Sequence, residues 1–396
     1  MPAHHQGDRL ARVIFSGATV DSFTREMKDR VSDYFRSTGL SQKANAWVAL
    51  KITLIFALTF GPYALILSGK VSPPGMLALA VIMGMGVAGM GFCVSHEALH
   101  GTLSARPWVN RILGWSLDLM GANGYMWDIT HNVIHHTYTN IHGLDEDLEV
   151  SSLVRLSPQA AWKPYHRFQH LYGVWLYSLS TLNWVFVKDF KYFLRRDLGP
   201  YLNREHSPGA IAGLVAGKLV HYSWTIVIPL LILRLPWWEF VVGYLAMHLT
   251  AGTILGVVFQ LAHVVEDTSH PKPSETGRIE QSWMAHEMAT TANFAIGNRW
   301  LSWYLGGLNF QIEHHLFSKV CSRHYPALSR IVREVAARHG VPYNVHRTFL
   351  DAVRSHLKML ASLGRPISPT CGLPLRLGDP EVESPALGIG PAAGQL

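Results

Sequence analysis

The sequence predicts an all-α integral membrane protein: four transmembrane helices in two hairpins, with interfacial helices and a cytosolic cap that holds a di-metal site. Three observations carry that reading. The 396-residue chain is 48% hydrophobic and only 15% charged, too apolar for an ordinary soluble enzyme. It contains four apolar stretches of roughly 20 residues or more, enough to cross a hydrocarbon core. Seven histidines gather in three tight clusters, the first at the end of one such stretch and the other two beyond the apolar stretches that precede them.

The elements follow in order. Residues 1–43 form a polar, basic N-terminal segment without the short apolar core and small-residue cleavage site of a signal peptide. Within it, Phe23, Met27, Val31, Tyr34 and Phe35 recur at helical spacing, which predicts an interfacial helix from Asp21 to Phe35. The first span runs from Ala46 to Ser68. A turn through Gly69 and Pro74 returns the chain from Gly75 to Ser95. A second hairpin covers Pro208 to Leu235 and Trp238 to Ala262, with Trp238 as an interfacial anchor. Two weaker stretches, Ile112–Trp127 and Leu171–Val187, are read as interfacial or re-entrant. If the first of them crossed, the second histidine cluster would face away from the first, and the two could not share a site. The membrane domain thus covers 44–330, followed by an amphipathic helix over 331–362 and a Pro- and Gly-rich, disordered tail over 363–396.

Charge gives the orientation. All but four of the 34 basic residues lie on the histidine side; the exceptions are Lys51, Lys70, Lys218 and Arg234. That is the positive-inside pattern, so the clusters and both termini are expected in the cytosol, at a bacterial inner membrane. Lys51 and Lys218 are expected to snorkel to the surface. The basic balance then reflects anionic lipid, not nucleic acid, for which no recognition motif is present. Three cysteines without a CxxC pair argue against a disulfide framework.

The clusters read His96-Glu97-Ala98-Leu99-His100, His131-Asn132-Val133-Ile134-His135-His136 and Gln311-Ile312-Glu313-His314-His315. A four-residue interval places His96 with His100, and His131 with His135, on one helix face. His136 points about 100° further round and can serve a second metal, as can one of the His314–His315 pair. Asp128 or Thr130 is expected to cap the second box helix, and Asn309 the third. Seven imidazoles exceed what one mononuclear site uses, so two metals are the natural count. Imidazole suits iron, zinc, copper and nickel alike and does not name the metal.

The three boxes resemble those of the integral-membrane fatty acid desaturases, and the Gln-Ile-Glu-His-His third box is similar to that of the front-end class. His135-His136-Thr137-Tyr138-Thr139-Asn140 and Gly143-Leu144-Asp145-Glu146-Asp147 extend the likeness, which covers about residues 45 to 330. The resemblance implies a four-span fold with a cytosolic cap and a di-iron centre. It also implies that O2 and two electrons are used to remove two hydrogens from a fatty acyl chain held on CoA, carrier protein or lipid. Gln311 departs from the histidine that opens the third box in stearoyl-CoA-type desaturases; its amide oxygen can ligate directly or through water. Glu97, Asp145, Asp147 and Glu313 are expected to orient imidazole N–H groups.

His263 is an eighth expected ligand. It lies one residue past the fourth predicted span, as His96 lies one past the second, and the resemblance agrees. Histidines outside the boxes, His270 and His286 among them, are read as solvated or structural, and His248, inside the fourth span, as a packing residue. No His-Pro-Gly-Gly haem motif is present, and the one GxGxxG match, Gly84-Met85-Gly86-Val87-Ala88-Gly89, falls inside the second apolar span and not between a strand and a helix, so electrons are expected from a separate donor, ferredoxin or cytochrome b5 with its reductase. The competing readings are a hydroxylase or sphingolipid-type desaturase on the same scaffold, a histidine-ligand metal transporter, and a haem-bearing electron carrier. A transporter would hold its histidines near the midplane, and a haem carrier would hold them in facing spans.

Overall fold

The computed structural model describes residues 13–16, 21–148 and 151–366; most of the predicted tail lies outside them, as do His4, His5 and Cys371. Among the described residues, four helices are long and apolar enough to cross a membrane: Ala46–Leu67, Pro73–Leu99, Pro208–Ile232 and Trp237–His263. The first two pack along each other, and the fourth packs against the second, giving the core its centre at Met83, Val87, Met247, Ala251 and Leu255. The outward faces carry large apolar side chains, and Trp47, Trp237 and Trp238 stand exposed at span ends, where indole rings suit a membrane interface.

The two weaker stretches are broken helices. Ile112–Trp127 divides into Pro107–Gly114, Ser116–Leu119 and Gly124–Trp127. The break falls at Gly121, whose φ of 92° is open to glycine and strained for other residues. Leu171–Val187 divides into Gln169–Ser178, Ser180–Asn183 and a π-turn over Trp184–Lys188. Among the described residues neither forms a single helix long enough to cross, and the three histidine clusters meet.

Several expectations are corrected. The N-terminal helix, Ser22–Thr38, turns its apolar stripe onto protein: Phe23, Met27, Val31 and Phe35 are buried, and the helix packs against Tyr325–His339. An amphipathic face is satisfied as well by a partner helix as by lipid. The helix predicted over 331–362 is two, Tyr325–His339 and Phe349–Leu363, parted at Gly340. Lys218 does not snorkel. Its ammonium is buried and donates to Gly121 O, Trp184 O and Asp189 Oδ2 at 2.7, 2.8 and 2.7 Å, because Asp189 offers a closer countercharge than the membrane surface. Lys51 is likewise buried. Two short parallel strand pairs, Ile14–Phe15 with Arg278–Ile279 and Asn293–Phe294 with Val345–His346, tie the cap together.

Candidate metal centre

The first box lies at the end of the second span, directly after a π-helical turn over Gly91–Ser95. The second box is itself π-wound, over Asp128–His135, where regular α-helix was expected. Such turns re-aim side chains and recur at functional sites. Asn123, rather than Asp128 or Thr130, caps this segment, accepting from Met126 N at 3.1 Å. Asp128 instead accepts from Asn132 Nδ2 at 2.6 Å. The third box, Gln311–Leu316, has no side-chain cap. Asn309 is buried and donates to Phe294 O and Ser302 Oγ, holding the preceding loop. That loop comes close to the first box through Gly306, where a Cβ would sit 2.7 Å from Phe92 O. The contact brings the His314 ring to 4.5 Å, centroid to centroid, from His96.

All eight expected imidazoles gather here. His96, His100, His131 and His314 form one group, His135, His263 and His315 another, and His136 joins His314 and His315 between them. Within each group the ligating atoms lie within 4.8 Å of one another. Every one of these histidines except His96 has a buried Nε2 without a hydrogen-bond partner. Buried polar atoms in native proteins are ordinarily paired, so seven orphaned nitrogens aimed into one space fit metal ions. Gln311 lines the cavity beside His96, His131 and His314.

On four of the eight imidazoles the Nδ1 nitrogen is engaged by a side chain. His131 Nδ1 donates to Asp147 Oδ2 at 3.0 Å, and His135 Nδ1 donates to Asp145 Oδ2 at 3.0 Å. His315 Nδ1 donates to Glu287 Oε2 at 2.7 Å, and His314 Nδ1 pairs with the Tyr325 hydroxyl at 3.2 Å. An Nδ1–H held by a carboxylate leaves Nε2 free for a metal. Glu97 and Glu313 do not do this. Glu97 accepts from Ser322 N at 3.1 Å and from Thr102 Oγ1. Glu313 accepts from Asn293 Nδ2 and Tyr343, both at 2.8 Å. Both therefore anchor their boxes to the cap rather than orient an imidazole. Glu287, Tyr325 and Lys188 carry no signal that marked them in the sequence.

Burial, then mutual repulsion, holds the imidazoles of His100, His136, His314 and His315 well below their ordinary value, so they are neutral donors. His135 runs the other way: burial opposes its charge, but Asp145 outweighs that and raises it. Burial pushes the Glu287 carboxyl up, whereas Asp147, despite its burial, is held down by Lys188 and His131. Elsewhere, His286 is buried with both ring nitrogens unpartnered by side chains and is not solvated, and His248 pairs with Thr181 Oγ1 at 3.1 Å.

Four apolar helices long enough to cross a membrane, a cap and eight clustered imidazoles that could hold metal, beside a largely apolar cavity, define a membrane protein with a candidate metal centre. The profile of the fatty acid desaturase family matches residues 72–347, and the chain belongs to that family. It is 34% identical over 348 residues to a sn-1 linoleoyl-lipid 6-desaturase of Synechocystis sp., covering 87% of this chain and 96% of that one. It is 33% identical to a protein of the same name from Arthrospira platensis, over 86% of this chain and 92% of the relative. It is also 33% identical to an acyl-lipid (8-3)-desaturase of Physcomitrium patens, over 90% of this chain and 74% of the relative. The protein is thus an oxidoreductase of lipid metabolism, a fatty acid desaturase.

Proposed function

We propose that this desaturase uses a di-iron centre on the cytosolic side of a bacterial inner membrane to place a double bond near the carboxyl end of a lipid-linked acyl chain. The observation that carries this reading is the clustering of three adjoining imidazole groups, whose members His96, His131 and His314 line a cavity of about 380 Å³ walled largely by apolar side chains. The proposed ligands are His96, His100, His131 and His314 for one iron, and His135, His263 and His315 for the other. His136 lies between them, and Gln311 is placed to ligate directly or through water. When bound, the irons, with O2 and two electrons from an external donor, supply the oxidant that a methylene C–H requires, since it offers no acid–base handle.

The chain's own residues prepare that chemistry. Asp145, Asp147 and Glu287 hold the imidazoles in one tautomer, with Glu287 bound in turn by Thr139 Oγ1 at 2.9 Å. Lys188 balances Asp147 at 3.1 Å. Leu117, Met120, Leu176 and Leu255 on the cavity wall keep water from the acyl chain. Carboxyl-end placement and a lipid carrier are supported by the relatives, which are named as acyl-lipid and 6-desaturases. The chain's net charge of +7 favours an acidic donor such as ferredoxin. Metal analysis of purified protein tests the centre: two irons and no haem are expected, and zinc or haem would refute it. Lipid profiling of a host expressing the chain tests the reaction, with His100→Ala expected to insert normally and yield no product.

A further inference from the structure

Most polar groups on the wall of the cavity are engaged. Lys188 donates to Asp147, the Tyr177 hydroxyl pairs with His356 Nε2 at 3.1 Å, and Ser180 Oγ donates to Gly252 O at 3.2 Å. Gln260 is different. It is 4% exposed, its Oε1 has no partner, and its amide makes no hydrogen bond among the described residues. It sits on the fourth span, three residues before His263, and lines the same cavity as His96, His131 and His314. Asn183, also on that wall, is only half-buried, and Gln311 belongs to the third box. A buried amide without a partner is costly in an apolar interior, and a ligand that completes it removes the cost.

We infer that Gln260 binds the ester carbonyl of the acyl lipid and so sets the carbon at which the double bond forms. An ester carbonyl has acceptors and no donor, and a primary amide turns its N–H2 toward it by rotation about its last side-chain bond. The inference rests on the proposed carboxyl-end reading. An enzyme that counts from the carboxyl end must hold the carbonyl only a few methylenes from the reacting carbon. The polar contact for the carbonyl therefore has to lie beside the metal, in a wall whose other buried polar groups are largely engaged. Gln260 meets both conditions, and as a positioning residue it needs no contact with the metal.

The test is Gln260→Met, close in volume and without a donor, in the full chain expressed in a host whose lipids carry 16- and 18-carbon acyl chains. Three quantities are read: iron per chain, product amount, and double-bond position in dimethyloxazoline derivatives. Iron is expected to stay at the wild-type level. Turnover falls about fivefold, as for one lost neutral hydrogen bond, and the double bond spreads to neighbouring positions. If the wild type counts from the carboxyl end and Gln260→Met matches it in rate and position, the inference is overturned while the carboxyl-end reading stands. If the wild type counts from the methyl end, both fall. Loss of iron in the variant would also overturn it, by making Gln260 a support of His263. Should Gln260→Met not accumulate, Gln260→Asn withdraws the amide by one methylene and is expected to shift the product; an unshifted product refutes the inference.

Discussion

Replacing Glu287 by glutamine separates orientation of a ligand from mere packing beside it. Glu287 is fully buried, lies in the helix Trp283–Thr290, and accepts the Nδ1–H of His315 at 2.7 Å. Glutamine keeps the volume but replaces one carboxylate oxygen with an N–H2 group. If that end faces His315, Nδ1 must become the acceptor and the proton moves to Nε2, the atom that would face the metal. If the oxygen faces it, the hydrogen bond survives but loses its charge. Either way the imidazole is a poorer ligand. Changes to such partners typically cost about 10- to 100-fold in metal affinity, or roughly 1.4–2.7 kcal/mol. The assay is iron per chain after dialysis of purified protein against a graded chelator series. Glu287→Gln is expected to release iron at a correspondingly lower chelator strength, with half of the metal centre lost first. Glu313→Gln is the control, since Glu313 binds Asn293 and Tyr343 and no box imidazole. It should lower the unfolding temperature and leave iron retention unchanged. If Glu287→Gln holds iron as the wild type does, or if Glu313→Gln releases it equally, the division of roles between these two acids is refuted.

Three further outcomes are expected. His263→Ala should lower bound iron and stop turnover, because its ring lies 4.7 Å from that of His135 and 4.9 Å from that of His315, whereas His270→Ala should retain both irons; a fully loaded, active His263→Ala removes it from the ligand set. Gly306→Ala should destabilise the protein by roughly 1–2 kcal/mol or more, since φ is 62° there and the new Cβ meets Phe92 O; an unchanged thermal unfolding midpoint would contradict this. A reporter fused after Leu396 should read cytosolic and one inserted in the Lys70–Pro74 turn external, and the reverse pattern would invert the proposed orientation.

What the sequence determined by itself was whatever depends on local period and length. A span needs only some 20 apolar residues, and two imidazoles four apart share a helix face wherever that helix is placed. The four spans, the three boxes and His263 at a helix exit were therefore legible. So was the failure of Ile112–Trp127 to form a helix long enough to cross, through the demand that the boxes share a site. The tertiary structure decided what depends on partners distant in the chain. The stripe from Phe23 to Phe35 reads the same whether lipid or a second helix covers it, and only the fold supplies Tyr325–His339 as the cover. A capping side chain is chosen by where the backbone turns, which is why Asn123 caps the second box and Asp128 does not. Four acids near the boxes looked equivalent in sequence. Two of them reach imidazoles, two anchor the cap, and the third imidazole-bound carboxylate, Glu287, comes from a helix 28 residues before its partner His315. Hydrogen bonding acts over about 3 Å of space regardless of separation along the chain, so these assignments exist only once the chain has folded.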